Sequence, residues 1–126
     1  MISVHDNLIV SYQVNLEKEE IRMHTRTGSG KDVYVFFSGV LAHFFETEQH
    51  GSVIFDIEKS RLLYFFKENE KLLEEKKDYV WPIQYKDIKE LENTLIKEKY
   101  FYYRISSSYG LSGWVLAQKL EILDSY

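Results

Sequence analysis

The stretch "LIVSYQVNLEKEEIRMHTR", residues 8–26, decides how this chain folds. Its first half alternates with a period of two. Leu8, Val10, Tyr12, Val14 and Leu16 fall on one face, and Ser11, Gln13 and Asn15 on the other, the pattern of a half-buried strand. "EKEE" then reads as a polar turn. Beyond it Ile21, Met23 and Thr25 alternate with Arg22, His24 and Arg26, so that 8–16 and 20–27 form an antiparallel pair.

From this hairpin the reading extends outward. "GSGKD" turns the chain into "VYVFF", apolar on both faces and therefore expected at the centre of a sheet; "SVIFDI" is similar. The spacing then becomes helical. In "SRLLYFFKENEKLLEEKK", Leu62, Leu63, Phe65, Phe66, Leu72 and Leu73 form one stripe opposite Lys67, Glu68, Glu70, Lys71 and Glu74. Pro82 in "VWPIQY" stops that helix. Asp87 and Glu90 make a D-x-x-E start signal for a second one, with Ile88, Leu91, Leu95 and Ile96 as its buried stripe. "YFYYRI" and "WVLAQKLEIL" are the last two strands. The order predicts an α+β fold: a mostly antiparallel, twisted sheet of about six strands with two helices packed on one face. With no linker, repeat or low-complexity segment, residues 1–126 read as a single domain.

Composition narrows the function classes. The chain has no cysteine, which excludes disulfides and thiolate metal sites and is compatible with a reducing compartment. "MISVHDNLIVSYQ" lacks a basic region followed by a long apolar run, so no signal peptide is expected. No apolar run approaches the roughly 18 residues of a membrane span. The net charge is -4, and basic residues are interleaved with acidic ones, as in "EKLLEEKKD". That argues against nucleic-acid binding, including through the aromatic "YFYYR".

Several segments carry side chains capable of chemistry. In "AHFFETEQH", His43, Glu46 and His50 would share a face if helical and could gather two imidazoles and a carboxylate around a metal. Their spacing matches no metal signature, and Gly51 after His50 points to a turn, so a polar rim on a strand connection is the preferred reading and no metal or other cofactor is expected. "GSGK", Gly28–Lys31, lacks the spacing and the following helix of a phosphate loop. Glu46, Asp56 and Glu58 could supply an acid–base pair. Asp56 interrupts the apolar "VIFDI", which suggests partial burial, although turn or cap hydrogen bonding accounts for it better.

"ISSSYGLSGWVLAQ", residues 105–118, resembles a nucleophile loop but falls one residue short of the G-x-S-x-G elbow and leads into a strand. A glycine-shaped hairpin is expected, with Gly110 and Gly113 at positive φ. It would hold Tyr109 and Trp114 either in the core or against a partner.

"FFSGVLAHFFE", "GSVIFDIE", "WPI" and "SSYGLSGWVLA" together resemble a group of small uncharacterised proteins of low-GC Gram-positive bacteria, over residues 8–123 or so. That resemblance implies no catalytic residues. The opening hairpin followed by V-x-F-x-G-V also resembles the immunity proteins of bacterial toxin systems, which implies a small, acidic, cytoplasmic and non-enzymatic protein. The expected function is therefore a cytoplasmic protein-binding module, an immunity-type partner of a toxin domain, with Tyr109, Trp114, Trp81, Asp56 and Glu46 as candidate contacts. Two alternatives are a small hydrolytic or metal-dependent enzyme using His43, Glu46, His50 and Asp56, and a self-associating module pairing as a homodimer through an apolar strand edge.

Overall fold

The computed structural model describes residues 3–124; the first two and last two residues of the expected 1–126 unit lie outside it. Six antiparallel strands are present: β1 (Leu8–Asn15), β2 (Glu20–Arg26), β3 (Asp32–Glu46), β4 (Val53–Ser60), β5 (Phe101–Tyr109) and β6 (Ser112–Leu123). Three helices, α1 (Leu62–Glu68), α2 (Glu70–Lys76) and α3 (Ile88–Lys97), and a 3-10 turn at Lys77–Tyr79 fill the connection between β4 and β5. The fold is α+β, as the element order implies. Two features differ from the expectation: the sheet closes on itself, and the helices number three.

The strand order is β1-β2-β3-β6-β5-β4, with β4 returning to β1 to close a barrel. β1, β2 and β3 form a meander, and β4 lies beside β1 in a Greek-key arrangement. The seam is short. Leu8 pairs with Val53, and the Ile9 N–H donates to the Ser52 carbonyl at 2.8 Å and the Ile54 N–H to the Asn7 carbonyl at 2.9 Å. Asn7 is buried there; its amide donates to the Thr25 hydroxyl at 3.1 Å, which donates to the Val33 carbonyl at 2.7 Å. Those polar groups are thereby satisfied in the wall of the barrel.

The face expected for β1 is reversed in its first half. Ile9 pairs with Thr25, but Ser11 pairs with His24, so Val10 is an extra residue on β1. A bulge of this kind moves every side chain before it to the other face. Ile9, Tyr12 and Val14 therefore pack on the barrel core, while Leu8 and Val10 are exposed at 38% and 41%. Leu16 lies beyond the strand and is also exposed.

β3 runs for 15 residues, three times the expected "VYVFF". It bends at Gly39, whose φ is +60 and whose missing Cβ leaves room for the Gln118 side chain; a Cβ would lie 2.3 Å from its Oε1. Just beyond, Leu41 is an extra residue between the pairs Val40–Ala117 and Ala42–Leu116. Val33, Val35, Phe37 and Val40 consequently face the barrel core, whereas Leu41 and Ala42 join a second core under the helices. The outer face at the start of β3 is covered by side chains: Tyr34 stacks on His24 and Arg22 lies over Phe36.

β5 and β6 are covered on both sides, which explains their nearly continuous apolar character. Phe101, Tyr103, Ile105, Val115 and Ala117 point into the barrel. Tyr102, Trp114 and Leu116 point outward against Phe65, Leu73, Leu91 and Leu95 of the helices. Asp87 caps α3, its carboxylate accepting from the Glu90 N–H at 2.9 Å as the D-x-x-E signal predicts. Its stripe is narrower than expected, since Ile88 and Ile96 are exposed. The long helix expected over 60–77 is divided at Asn69, which has φ -121 and ψ 20. Leu63 on its expected stripe is exposed. Among the described residues, no helix is long and apolar enough to cross a membrane.

Candidate functional site

The break at Asn69 builds the most developed polar site among the described residues. Asn69 is held between the helices and the outward face of β5 and β6. Its amide nitrogen donates to the Phe65 carbonyl at 3.0 Å, and its Oδ1 accepts from the Trp114 indole at 2.9 Å. A side chain that competes with helical hydrogen bonding in this way favours a helix end over a helix interior. The next residue back, Glu68, accepts from the Tyr102 hydroxyl and from Arg104, each at 2.7 Å. Arg104 reaches on to Glu58 at 3.1 Å and to the Ser60 hydroxyl at 2.9 Å. One chain of hydrogen bonds thus ties α1 to β4, β5 and β6.

These groups set one another's protonation. Burial first, then its bond to Glu68, pushes the Tyr102 phenol up, so it stays a neutral donor. The Ser60 hydroxyl, then Arg104, hold the Glu58 carboxyl below its ordinary 4.5. A carboxyl held lower in the folded chain contributes stability above the unfolded-state pKa, and that contribution is lost as pH falls through the folded one. Between about pH 5 and pH 3 the urea midpoint of the wild type is expected to fall more steeply than that of Glu58→Gln. Parallel slopes would mean that the pair is not formed in solution.

Beside this network lies a groove of about 920 Å³. Trp114, Phe44 and Tyr102 form its aromatic floor, and α1 and α2 form one wall through Glu68, Leu72 and Glu75. Glu46, Glu58 and Lys71 also line it. Glu58 and Glu68 are paired with Arg104, whereas the side chains of Glu46, Glu75 and Lys71 have no hydrogen-bond or ion-pair partner among the described residues.

The β5–β6 ladder stops at the pair Ile105–Gly113, although β5 continues to Tyr109. At the last pair Gly113 passes close to β3. Its φ is +155, and a Cβ would lie 1.9 Å from the Phe44 carbonyl oxygen. Gly110 at the tip also has positive φ, +82, as the hairpin reading predicts.

Of the five candidate contact residues, the structure brings Trp114 and Glu46 into the groove. Trp114 is only 4% exposed and belongs to the core under the helices. Trp81 is half-buried behind it, with ring centroids 5.9 Å apart. Tyr109 is exposed at the hairpin tip, pairs with Val53 and does not line the groove.

Asp56 is exposed, contrary to the burial expected from its apolar neighbours, and its carboxylate accepts from the adjacent Ile57 N–H at 2.9 Å. It too lies outside the groove, so it forms no acid–base pair there with Glu46 and Glu58.

The residues weighed as metal ligands are dispersed. His43 and Glu46 lie on β3 itself rather than on a helix or a connection, and a separation of three puts them on opposite faces of a strand. His43 is half-buried against Phe45, and that burial lowers its pKa and favours the neutral ring. His50 is exposed in the turn after β3. No three histidine, aspartate or glutamate side chains among the described residues are grouped to hold a metal ion. In the loop that resembles a nucleophile elbow, the Ser106 hydroxyl donates to the Asp56 carbonyl at 3.3 Å and the Ser107 hydroxyl to the Gly110 carbonyl at 3.0 Å.

Sequence reasoning passed over Asn69 and weighed Tyr102 and Arg104 only as part of "YFYYR". For Asn69 the available signal was a polar residue inside an apolar helical stripe, which an uninterrupted helix would leave unsatisfied. No family model matches this chain, and no match to it was found among curated proteins.

Proposed function

We propose that this chain is a cytoplasmic, non-catalytic protein-binding module that acts as the immunity-type partner of a toxin domain. The observation that carries this reading is the aromatic-floored groove, whose uncommitted carboxylates lie beside a network of fully engaged polar groups. The engaged groups hold the scaffold rigid, and the uncommitted ones are available to a partner. The net charge of -4 suits a basic partner, because complementary charge steers encounter. The Ser106 and Ser107 hydroxyls donate to backbone carbonyls, an arrangement suited to shaping a hairpin.

Capture from the native host with the tagged protein tests the reading. A basic protein is expected to co-purify in stoichiometric amount, to inhibit growth when expressed alone and to be tolerated when co-expressed with this chain. Failure to recover any stoichiometric partner, or a partner harmless by itself, would overturn it.

A further inference from the structure

We infer that the groove between α1–α2 and the parted ends of β5 and β6 receives an extended, lysine- or arginine-bearing segment of another protein. This inference rests on the protein-binding reading and adds where the partner sits and what chemistry it presents.

Three observations converge on it. The first is charge. Four carboxylates line the groove, those of Glu46, Glu58, Glu68 and Glu75, against Arg104 and Lys71. Arg104 is spent on Glu58 and Glu68, so Glu46 and Glu75 remain without a cation. A cationic side chain entering here finds acceptors that no internal group already occupies. The second is the floor. Phe44 and Trp114 lie with their rings nearly parallel at 21° and centroids 6.5 Å apart, and Phe44 is exposed. An apolar floor between acidic walls suits the methylene stem of lysine or arginine, with its charged head at the rim.

The third is the backbone. Beyond Ile105–Gly113 no pair joins β5 to β6, although β5 runs on to Tyr109 and β6 begins one residue earlier, at Ser112. Ser106, Ser107 and Ser112 line the groove where the strands part. An extended segment laid there gains main-chain hydrogen bonds from a parted ladder, with specificity supplied by alternate side chains. Only glycine fits where the ladder ends, because a Cβ at Gly113 would lie 1.9 Å from the Phe44 carbonyl oxygen.

Fluorescein-labelled hexalysine is the probe, with hexaglutamate as the opposite-charge control, and anisotropy at low ionic strength is the readout. Hexalysine is expected to bind and hexaglutamate not to. Glu46→Gln/Glu75→Gln is expected to weaken hexalysine binding about tenfold, a loss of the size expected when both uncompensated charges at one site are removed. Glu17→Gln/Asp124→Asn removes the same charge from exposed positions outside the groove and is expected to change binding less than about twofold, as nonspecific attraction alone would. The Glu46 and Glu75 side chains are exposed and unpartnered, so an unchanged melting temperature verifies that the groove variant is folded.

Absence of hexalysine binding, or equal weakening in the two double variants, would overturn the inference. So would concentration-dependent self-association that hexalysine displaces, which would make a second copy of the chain the occupant. The two readings fail separately. A native partner still captured by Glu46→Gln/Glu75→Gln overturns the groove and leaves the binding module standing; groove-dependent hexalysine binding with no native partner does the reverse.

Discussion

Replacing Trp114 by alanine is expected to lower the unfolding free energy by about 3–5 kcal/mol, the usual cost of deleting a large buried aromatic side chain. The ring is 4% exposed. It meets Phe65, Trp81 and Tyr102 at centroid distances of 5.1, 5.9 and 6.2 Å. Its indole N–H donates to Asn69 at 2.9 Å. Since domains of this size are stable by only about 5–15 kcal/mol, a substantial unfolded fraction is expected at physiological temperature. Urea denaturation followed by far-UV circular dichroism measures the loss. The companion Tyr109→Ala, at an exposed hairpin tip, is expected to stay within about 0.5 kcal/mol of wild type. Equal stability of Trp114→Ala and wild type would mean that the ring is a surface contact and that the core under the helices is wrongly placed.

Replacing Asn69 by leucine is expected to cost about 2–3 kcal/mol, although leucine is similar in size and a better helix former. Every buried side-chain nitrogen and oxygen among the described residues has a hydrogen-bond partner. The substitution would leave the Trp114 indole N–H buried with no acceptor, and such an orphaned donor costs about 1–3 kcal/mol by itself. Leucine would also favour running α1 into α2, which conflicts with the turn that presents Glu68 to Tyr102 and Arg104. Two measurements separate these effects. The urea midpoint reports the total, and the indole N–H resonance of Trp114 reports the lost bond directly. An unchanged midpoint would show that Asn69 is dispensable and that the polar relay is incidental to packing.

Both expectations rest on residues whose importance was unevenly visible in the sequence. Trp114 stood out as an aromatic in a glycine-bearing loop, where core or turn packing was the preferred reading and a partner contact the alternative. Its partners Phe65, Trp81 and Tyr102 lie from 12 to 49 residues upstream in separate segments of the chain, so nothing local could decide between the two. Asn69 was less visible still, one polar position within a helical stripe. Glu46 was singled out both for metal or acid–base chemistry and as a candidate contact; its place in the groove follows from the extra residue at Leu41, which sets the facing of everything after it in β3.

The strands themselves were legible because alternation is a local signal. β2 keeps strict phase, with Ile21, Met23 and Thr25 all turned into the barrel. The helical spacing, the cap at Asp87 and the positive φ of Gly110 were legible for the same reason: each depends on neighbours a few residues away. The absence of cysteine settled, from composition alone, that no disulfide holds the fold. Tertiary structure decided the rest. Whether β1 meets β4 depends on two segments more than 40 residues apart, joined through the pair Leu8–Val53 and the backbone bonds from Ile9 to Ser52 and from Ile54 to Asn7. No periodicity records such a pairing. The inward face of β1 and the course of β3 each turn on one inserted residue, Val10 and Leu41, chosen by how the partner strand fits and not by local preference. The groove is a product of all three: closure fixes the barrel, the Leu41 insertion turns Phe44 and Glu46 outward, and the β5–β6 ladder ends at Gly113 beneath them.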